Sequence, residues 1–273
     1  MPRSVEMVLV DEAWSGGERA LRGDADLRIL HPGPQDGPEA LVFVHIPKCA
    51  GSSFRQVLKR WFGENALFVD THDPDVLETA VERAASTPRS IAGHTPFGLC
   101  RNLQVSPCYV SLVRHPLDRF VSLYRHARRT PGHAMHADAV RLDLEAFYDF
   151  TLTDPRARGR MVAVQCYFLS RSRSFEATRA VIDRHYALVA PTERYDEFVS
   201  ALAERFRRRP PALEPRNVGE DGLDIVDARS ALEPRIRTDH AEDLKLFTYV
   251  SECFDARRES LLSALGARDE ASP

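Results

Sequence analysis

At 273 residues the chain is long enough for one large domain or two small ones with a sizeable core. Hydrophobic content of 43% and charged content of 28% describe an ordinary soluble globular protein. The formal net charge of −3 argues against a general nucleic-acid binder, which carries a basic excess. No stretch approaches the roughly 20 apolar residues of a membrane span. Residues 1–20 carry Glu6, Asp11, Glu12 and Glu18 and lack the apolar centre of a secretory signal. Cys49, Cys100, Cys108, Cys166 and Cys253 are scattered without CxxC spacing, so neither a disulfide framework nor a zinc site is expected. Reduced thiols in a cytoplasmic protein are the plain expectation.

In chain order, residues 1–40 read as a lead-in, with short strands possible at Val8–Val10 and Leu27–Leu30 and loop composition from His31 to Pro38. A single domain is expected over 41–268. It begins with the apolar run Leu41–Val44, short enough for a buried strand. Pro47 stops sheet pairing, and Gly51-Ser52-Ser53 offers a turn with hydroxyls suited to cap a helix. Phe54, Val57, Leu58 and Trp61 then recur at i, i+3, i+4 and i+7, the spacing of one helix face. Leu67–Val69 reads as a second strand, and Asp73-Pro74 opens a helix to about residue 85. Ser90–His94 and Cys108–Val113 are further strands. Pro116 opens a helix with Leu117, Phe120, Val121 and Tyr124 on one face, and Asp118, Arg119, Ser122, Arg125, His126 and Arg129 on the other. A loop is expected over 130–141, helices over 143–152, 156–170 and 174–185, a strand over Tyr186–Ala190, and a helix over 193–208. Four prolines and two glycines make 209–234 a long loop, a candidate flap with Arg216 and Asn217 as contacts. Thr238 is read as the cap of a last helix. Strands alternating with helices predict an α/β domain with a mainly parallel sheet.

Three features carry chemistry. The loop Pro47-Lys48-Cys49-Ala50-Gly51-Ser52-Ser53 aims backbone N–H groups, a helix N-terminus and an ammonium at one point, which suits a phosphate. It is not the GxxxxGK[ST] loop of ATP enzymes, and their magnesium-binding hydroxyl position is missing. Arg114 ends a strand and Ser122 follows two turns into the next helix; an arginine fork and a hydroxyl there make a second phosphate grip. Residues 114–129 hold five arginines and two histidines against one acid, Asp118. Arg125, Arg128 and Arg129 read as a solvated helix face. His94 ends a strand, where an imidazole near its ordinary pKa of about 6.5 can take a proton from a hydroxyl; by position alone a structural histidine is the commoner reading.

Together these residues resemble the sulfotransferases that use 3′-phosphoadenosine 5′-phosphosulfate (PAPS), and among them the carbohydrate branch that includes heparan sulfate 2-O-sulfotransferases. His45-Ile-Pro-Lys-Cys-Ala-Gly-Ser-Ser53 is similar to that branch's 5′-phosphosulfate loop. Val113-Arg-His-Pro-Leu-Asp-Arg-Phe-Val-Ser-Leu-Tyr124 is similar to its 3′-phosphate motif, and Gly93-His94 lies where the 2-O type places its catalytic histidine. Cys49 stands where threonine is common, and one Gly-His replaces a fuller His-x-His. The resemblance implies a P-loop-like three-layer fold with a central, mainly parallel sheet flanked by helices. It also implies sulfuryl transfer from PAPS to a hydroxyl of a carbohydrate or glycan-like acceptor, leaving adenosine 3′,5′-bisphosphate (PAP), with no metal. Lys48 would neutralise charge on the leaving oxygen. Cys49, Ala50, Gly51, Ser52 and Ser53 would cradle the 5′-phosphate, Arg114 and Ser122 would grip the 3′-phosphate, and His94 would be the base. The rival readings are a nucleotide kinase sharing the strand-loop-helix unit and a non-catalytic nucleotide-binding module.

Overall fold

In the computed structural model, residues 39–84, 87–99, 105–211 and 223–269 are described. The strands expected near 8–10 and 27–30, and the flap contacts Arg216 and Asn217, lie outside them. The apolar run near residue 41 becomes β1 (Glu39–Val44), with Ala40 through Val44 all buried. A strand buried along its whole length belongs in the middle of a parallel sheet. The remaining strands are β2 (Ala66–Phe68), β3 (Ser90–Gly93), β4 (Ser106–Val113) and β5 (Tyr186–Pro191). The sheet order is β2-β3-β1-β4-β5, and every pairing is parallel. Val44 pairs with Gly93 on one side and with Ser111 on the other. All five strands therefore end at one edge, and the chain passes from β3 across β1 to β4 there. Such a switch point is where open α/β sheets leave a ligand crevice.

Helices complete the α/β layering: α1 (Gly51–Phe62), α2 (Pro74–Glu82), α3 (Pro116–Arg129), α4 (His136–Arg141), α5 (Leu144–Thr153), α6 (Pro155–Arg158), α7 (Val164–Ser170), α8 (Phe175–His185), α9 (Tyr195–Arg205), α10 (Leu223–Asp239) and α11 (Ala241–Asp269). No helix among the described residues is long and apolar enough to cross a membrane. The apolar face of α1 is buried as its spacing predicts: Phe54, Val57, Leu58 and Trp61 join the core around the sheet. A second core forms where Leu117, Phe120, Val121 and Tyr124 of α3 meet Phe147 and Tyr148 of α5 and Leu232 and Ile236 of α10.

Five local expectations are corrected. Residues 136–141 form α4 rather than loop. The helix expected over 156–170 is broken: Ala163 takes a left-handed φ of 48°, so α6 and α7 are separate. Within the expected loop 209–234, residues from Leu223 onward are helical even though Pro234 lies inside α10. An interior proline costs about 3 kcal/mol. Burying Leu232 and Ile236 completely returns about 1.5–3 kcal/mol each, enough to keep the helix. Thr238 sits in the last turn of that helix, with its hydroxyl directed to Pro234 O, and caps nothing. Arg119, placed by spacing on the polar face of α3, is 1% exposed and donates to Met161 O.

Candidate active site

The loop between β1 and α1 is built from backbone geometry. Lys48 and Ala50 have positive φ, 69° and 56°, and Cys49 N–H donates to Ile46 O at 3.2 Å. A left-handed turn at a residue with a Cβ costs about 1–2 kcal/mol, so the loop holds strain that its surroundings must sustain. Ala50 occupies the N-cap position of α1 and supplies no side-chain cap. The hydroxyls of Ser52 and Ser53, expected to cap the helix, are instead exposed at its mouth. First-turn N–H groups have no acceptor within their own helix, so the N-terminus of α1 keeps its anion-binding capacity. Cys49 points inward, fully buried, and burial pushes its thiol up to about 12. It shapes the loop and is a poor thiolate.

Two glycines are required by space. A Cβ on Gly51 would stand 1.8 Å from the His45 ring, which is wedged between Phe43 and His94. A Cβ on Gly93 would stand 1.7 Å from the carbonyl oxygen of Val69. Gly93→Ala should therefore force the ends of β2 and β3 apart, costing about 3 kcal/mol or more. Thermal unfolding is expected to show a midpoint lowered by about 6–12 °C. A midpoint within a degree or two of the parent would contradict that contact.

His94 follows Gly93 and is fixed from both ends. Its backbone N–H donates to Asp70 Oδ1 at 2.7 Å, and its ring Nδ1 lies 2.8 Å from His45 O. A carbonyl oxygen only accepts, so Nδ1 carries the hydrogen and Nε2 keeps the lone pair. Burial lowers the His94 pKa, while Asp70 and the bond to His45 O pull it back up and Arg55 and Lys48 oppose them. The imidazole is neutral at physiological pH, with its basic nitrogen defined. Beside it, His72, Tyr167 and Phe168 form an aromatic wall: the His72 ring lies 6.0 Å from Tyr167 and 5.7 Å from Phe168, and the Phe168 ring lies 6.4 Å from His94.

Arg114 emerges at the end of β4, and its Nη1 donates to Lys48 O at 3.4 Å, joining the two expected phosphate grips. Its Nε is buried without a hydrogen-bond partner. Lys48 is depressed below the ordinary lysine range by burial first, then by Arg114 and Arg129. His126 is lowered by burial and by the charges of Lys48 and Arg129, and His133 falls to about 4 through burial, His126, Arg160 and Lys48. Crowded cations lower one another's pKa and concentrate positive potential at this sheet edge. Arg129, read from spacing as merely solvated, contributes to that field; Arg128 folds over the Tyr124 ring at 5.3 Å. Ser122 is partly buried on α3, two turns beyond Pro116.

Spacing alone did not reveal Gln165, completely buried on α7. Its Oε1 accepts Arg114 N–H at 2.9 Å, and its Nε2 donates to Arg114 O at 2.9 Å. The same Oε1 lies 3.5 Å from Cys49 Sγ.

Fold and site together define an α/β protein whose parallel sheet carries a cationic loop and a neutral histidine at its C-terminal edge. The chain belongs to the sulfotransferase family, whose family model matches residues 35–217. Among solved structures, a sulfotransferase from Alicyclobacillus acidocaldarius is 14% identical, covering 78% of this chain and 96% of its own, with a TM-score of 0.46. A mouse sulfotransferase complexed with PAP is 18% identical, covering 76% of this chain and 69% of its own, with a TM-score of 0.42. No curated protein matches the chain.

Proposed function

We propose that the protein moves the sulfuryl group of PAPS to a hydroxyl of a carbohydrate or glycan-like acceptor, with His94 as the base. The observation that carries this reading is the convergence of Lys48, Arg114 and a neutral His94 at one sheet edge, tied by the bonds Arg114 Nη1 to Lys48 O and His94 Nδ1–H to His45 O. The N-terminus of α1, with Ala50, Gly51, Ser52 and Ser53, receives the 5′-phosphate; Cys49 supports the loop from below. Arg114, whose Nε lacks a protein partner, receives the 3′-phosphate with Ser122. In the reaction the acceptor oxygen forms a bond to sulfur as the bond from sulfur to the 5′-phosphate oxygen breaks. The acceptor proton passes to His94 Nε2, and PAP leaves carrying the electron pair. Positioning and charge stabilisation supply most of the rate, as in phosphoryl transfer. The exposed His72 ring and the half-buried Tyr167 ring, backed by buried Phe168 beside His94, support a sugar acceptor, because such faces pack against sugar C–H groups.

Calorimetric titration with PAP and with AMP tests the donor half. PAP is expected to bind at least tenfold more tightly than AMP, and Arg114→Ala should weaken PAP by about 10–100-fold, the loss of a charge-assisted pair, while leaving AMP nearly unchanged. Equal affinities for the two nucleotides would defeat the proposal. A mass-spectrometric screen with isotope-labelled PAPS over neutral and acidic oligosaccharides then identifies the acceptor.

A further inference from the structure

Arg114 is the first residue beyond β4, where strand pairing has stopped and α3 has not begun, so neither neighbour fixes its backbone. One side chain does. The amide of Gln165 meets both backbone groups of Arg114 as a neighbouring strand would, accepting from N–H and donating to C=O, each at 2.9 Å. The same Oε1 lies 3.5 Å from the thiol of Cys49, in the loop that presents Lys48. Gln165 thus touches the backbone that aims one cation and the loop that presents the other.

Gln165 is itself held from below. Helix α7 starts abruptly after the left-handed Ala163, which has no capping side chain. The missing cap comes from α11: Asp243 Oδ2 accepts Gln165 N–H at 3.2 Å, and Oδ1 accepts Cys166 N–H at 3.0 Å. Asp243 is completely buried, which raises its pKa, and the charge of buried Arg119 and those two N–H groups offset part of that cost. The break between α6 and α7 and the inward turn of Arg119 both serve this arrangement.

We infer that Gln165 is a positioning residue that sets the 3′-phosphate grip of Arg114 in register with the Lys48 loop, seated by Asp243 from α11. The inference rests on the donor assignment above. It makes discrimination between nucleotides with and without a 3′-phosphate a property of Gln165, a residue placed to act through Arg114 on the ligand.

Calorimetry with PAP and AMP on the full chain tests it. Gln165→Leu keeps the volume and loses both bonds. PAP should weaken by about tenfold to a hundredfold, the loss expected when buried polar groups are left unpaired, and AMP by no more than about threefold. In an Arg114→Ala background the same change should cost PAP nothing further, because the two residues act as one unit. Gln165→Glu guards against a variant that does not fold. Its neutral carboxyl can both accept from Arg114 N–H and donate to Arg114 O, whereas its carboxylate can only accept. PAP-over-AMP selectivity of Gln165→Glu should thus recover toward the parent's as pH falls, when both proteins are titrated side by side. Parental selectivity in folded Gln165→Leu, additive losses in the double variant, or pH-independent selectivity in Gln165→Glu would each overturn the inference while leaving the donor assignment standing. A parent protein that does not distinguish PAP from AMP would overturn both.

Discussion

His94→Ala is expected to lower turnover by about 10²–10⁴-fold, the usual contribution of a positioned general base, with PAP affinity held within about threefold. The reason lies in how the ring is held. Its Nδ1 hydrogen is committed to His45 O and its backbone N–H to Asp70, so the ring presents Nε2 as its one basic atom. Burial and the nearby charges of Arg55 and Lys48 lower its pKa. A base is active when deprotonated, so the rate should stay level through neutrality and fall only on the acid side, below the unperturbed value of about 6.5. Steady-state kinetics across pH with the parent and His94→Ala would check this. A His94→Ala enzyme that keeps its rate, or a parent acid limb well above that value, would remove His94 from the reaction. His45, its ring centre 4.1 Å from that of His94, is no substitute: its pKa is driven well below the ordinary range, and Gly51 packs against its ring.

Local periodicity was enough to read the sheet and the residues at its edge. Each core strand begins or ends within two residues of where apolar runs and glycine or proline breaks place it, and parallel pairing brings Lys48, His94 and Arg114 together without further information. What stayed hidden depends on partners far away in the chain. Gln165 lies 51 residues from Arg114, and Asp243 lies 78 from Gln165, so neither leaves a mark on its own neighbourhood. Arg119 sits at a polar-face position yet is buried, donating to Met161 O in a site where the charge of Asp243 favours its charged form. Helix α10 was masked by Pro234, a strong local signal outweighed by the burial of Leu232 and Ile236 in a core formed with α3 and α5. Composition within a window reports backbone preference; it carries no record of a surface supplied from elsewhere.

Lys48→Ala should slow turnover by about 10²–10³-fold, comparable to removing one donor from a preorganised oxyanion site. In the reaction proposed above, negative charge grows on the 5′-phosphate oxygen as its bond to sulfur breaks, and the half-buried Lys48 is the cation assigned to meet it. Burial and the charges of Arg114 and Arg129 make the free site costly for that ammonium, and an anion relieves the repulsion. The backbone adds a control. Lys48 is left-handed at φ 69°, so its replacement changes both a charge and a strained torsion. Lys48→Gly loses the same charge but suits that torsion, and should be more stable than Lys48→Ala by about 1 kcal/mol. If the ammonium is what matters, the two variants will be equally slow and differ only in melting temperature. Turnover restored in Lys48→Gly would instead place the function of residue 48 in the shape of the loop. Lys48→Arg is expected to stay slow as well: a planar fork of different reach cannot deliver a compact charge to the same point.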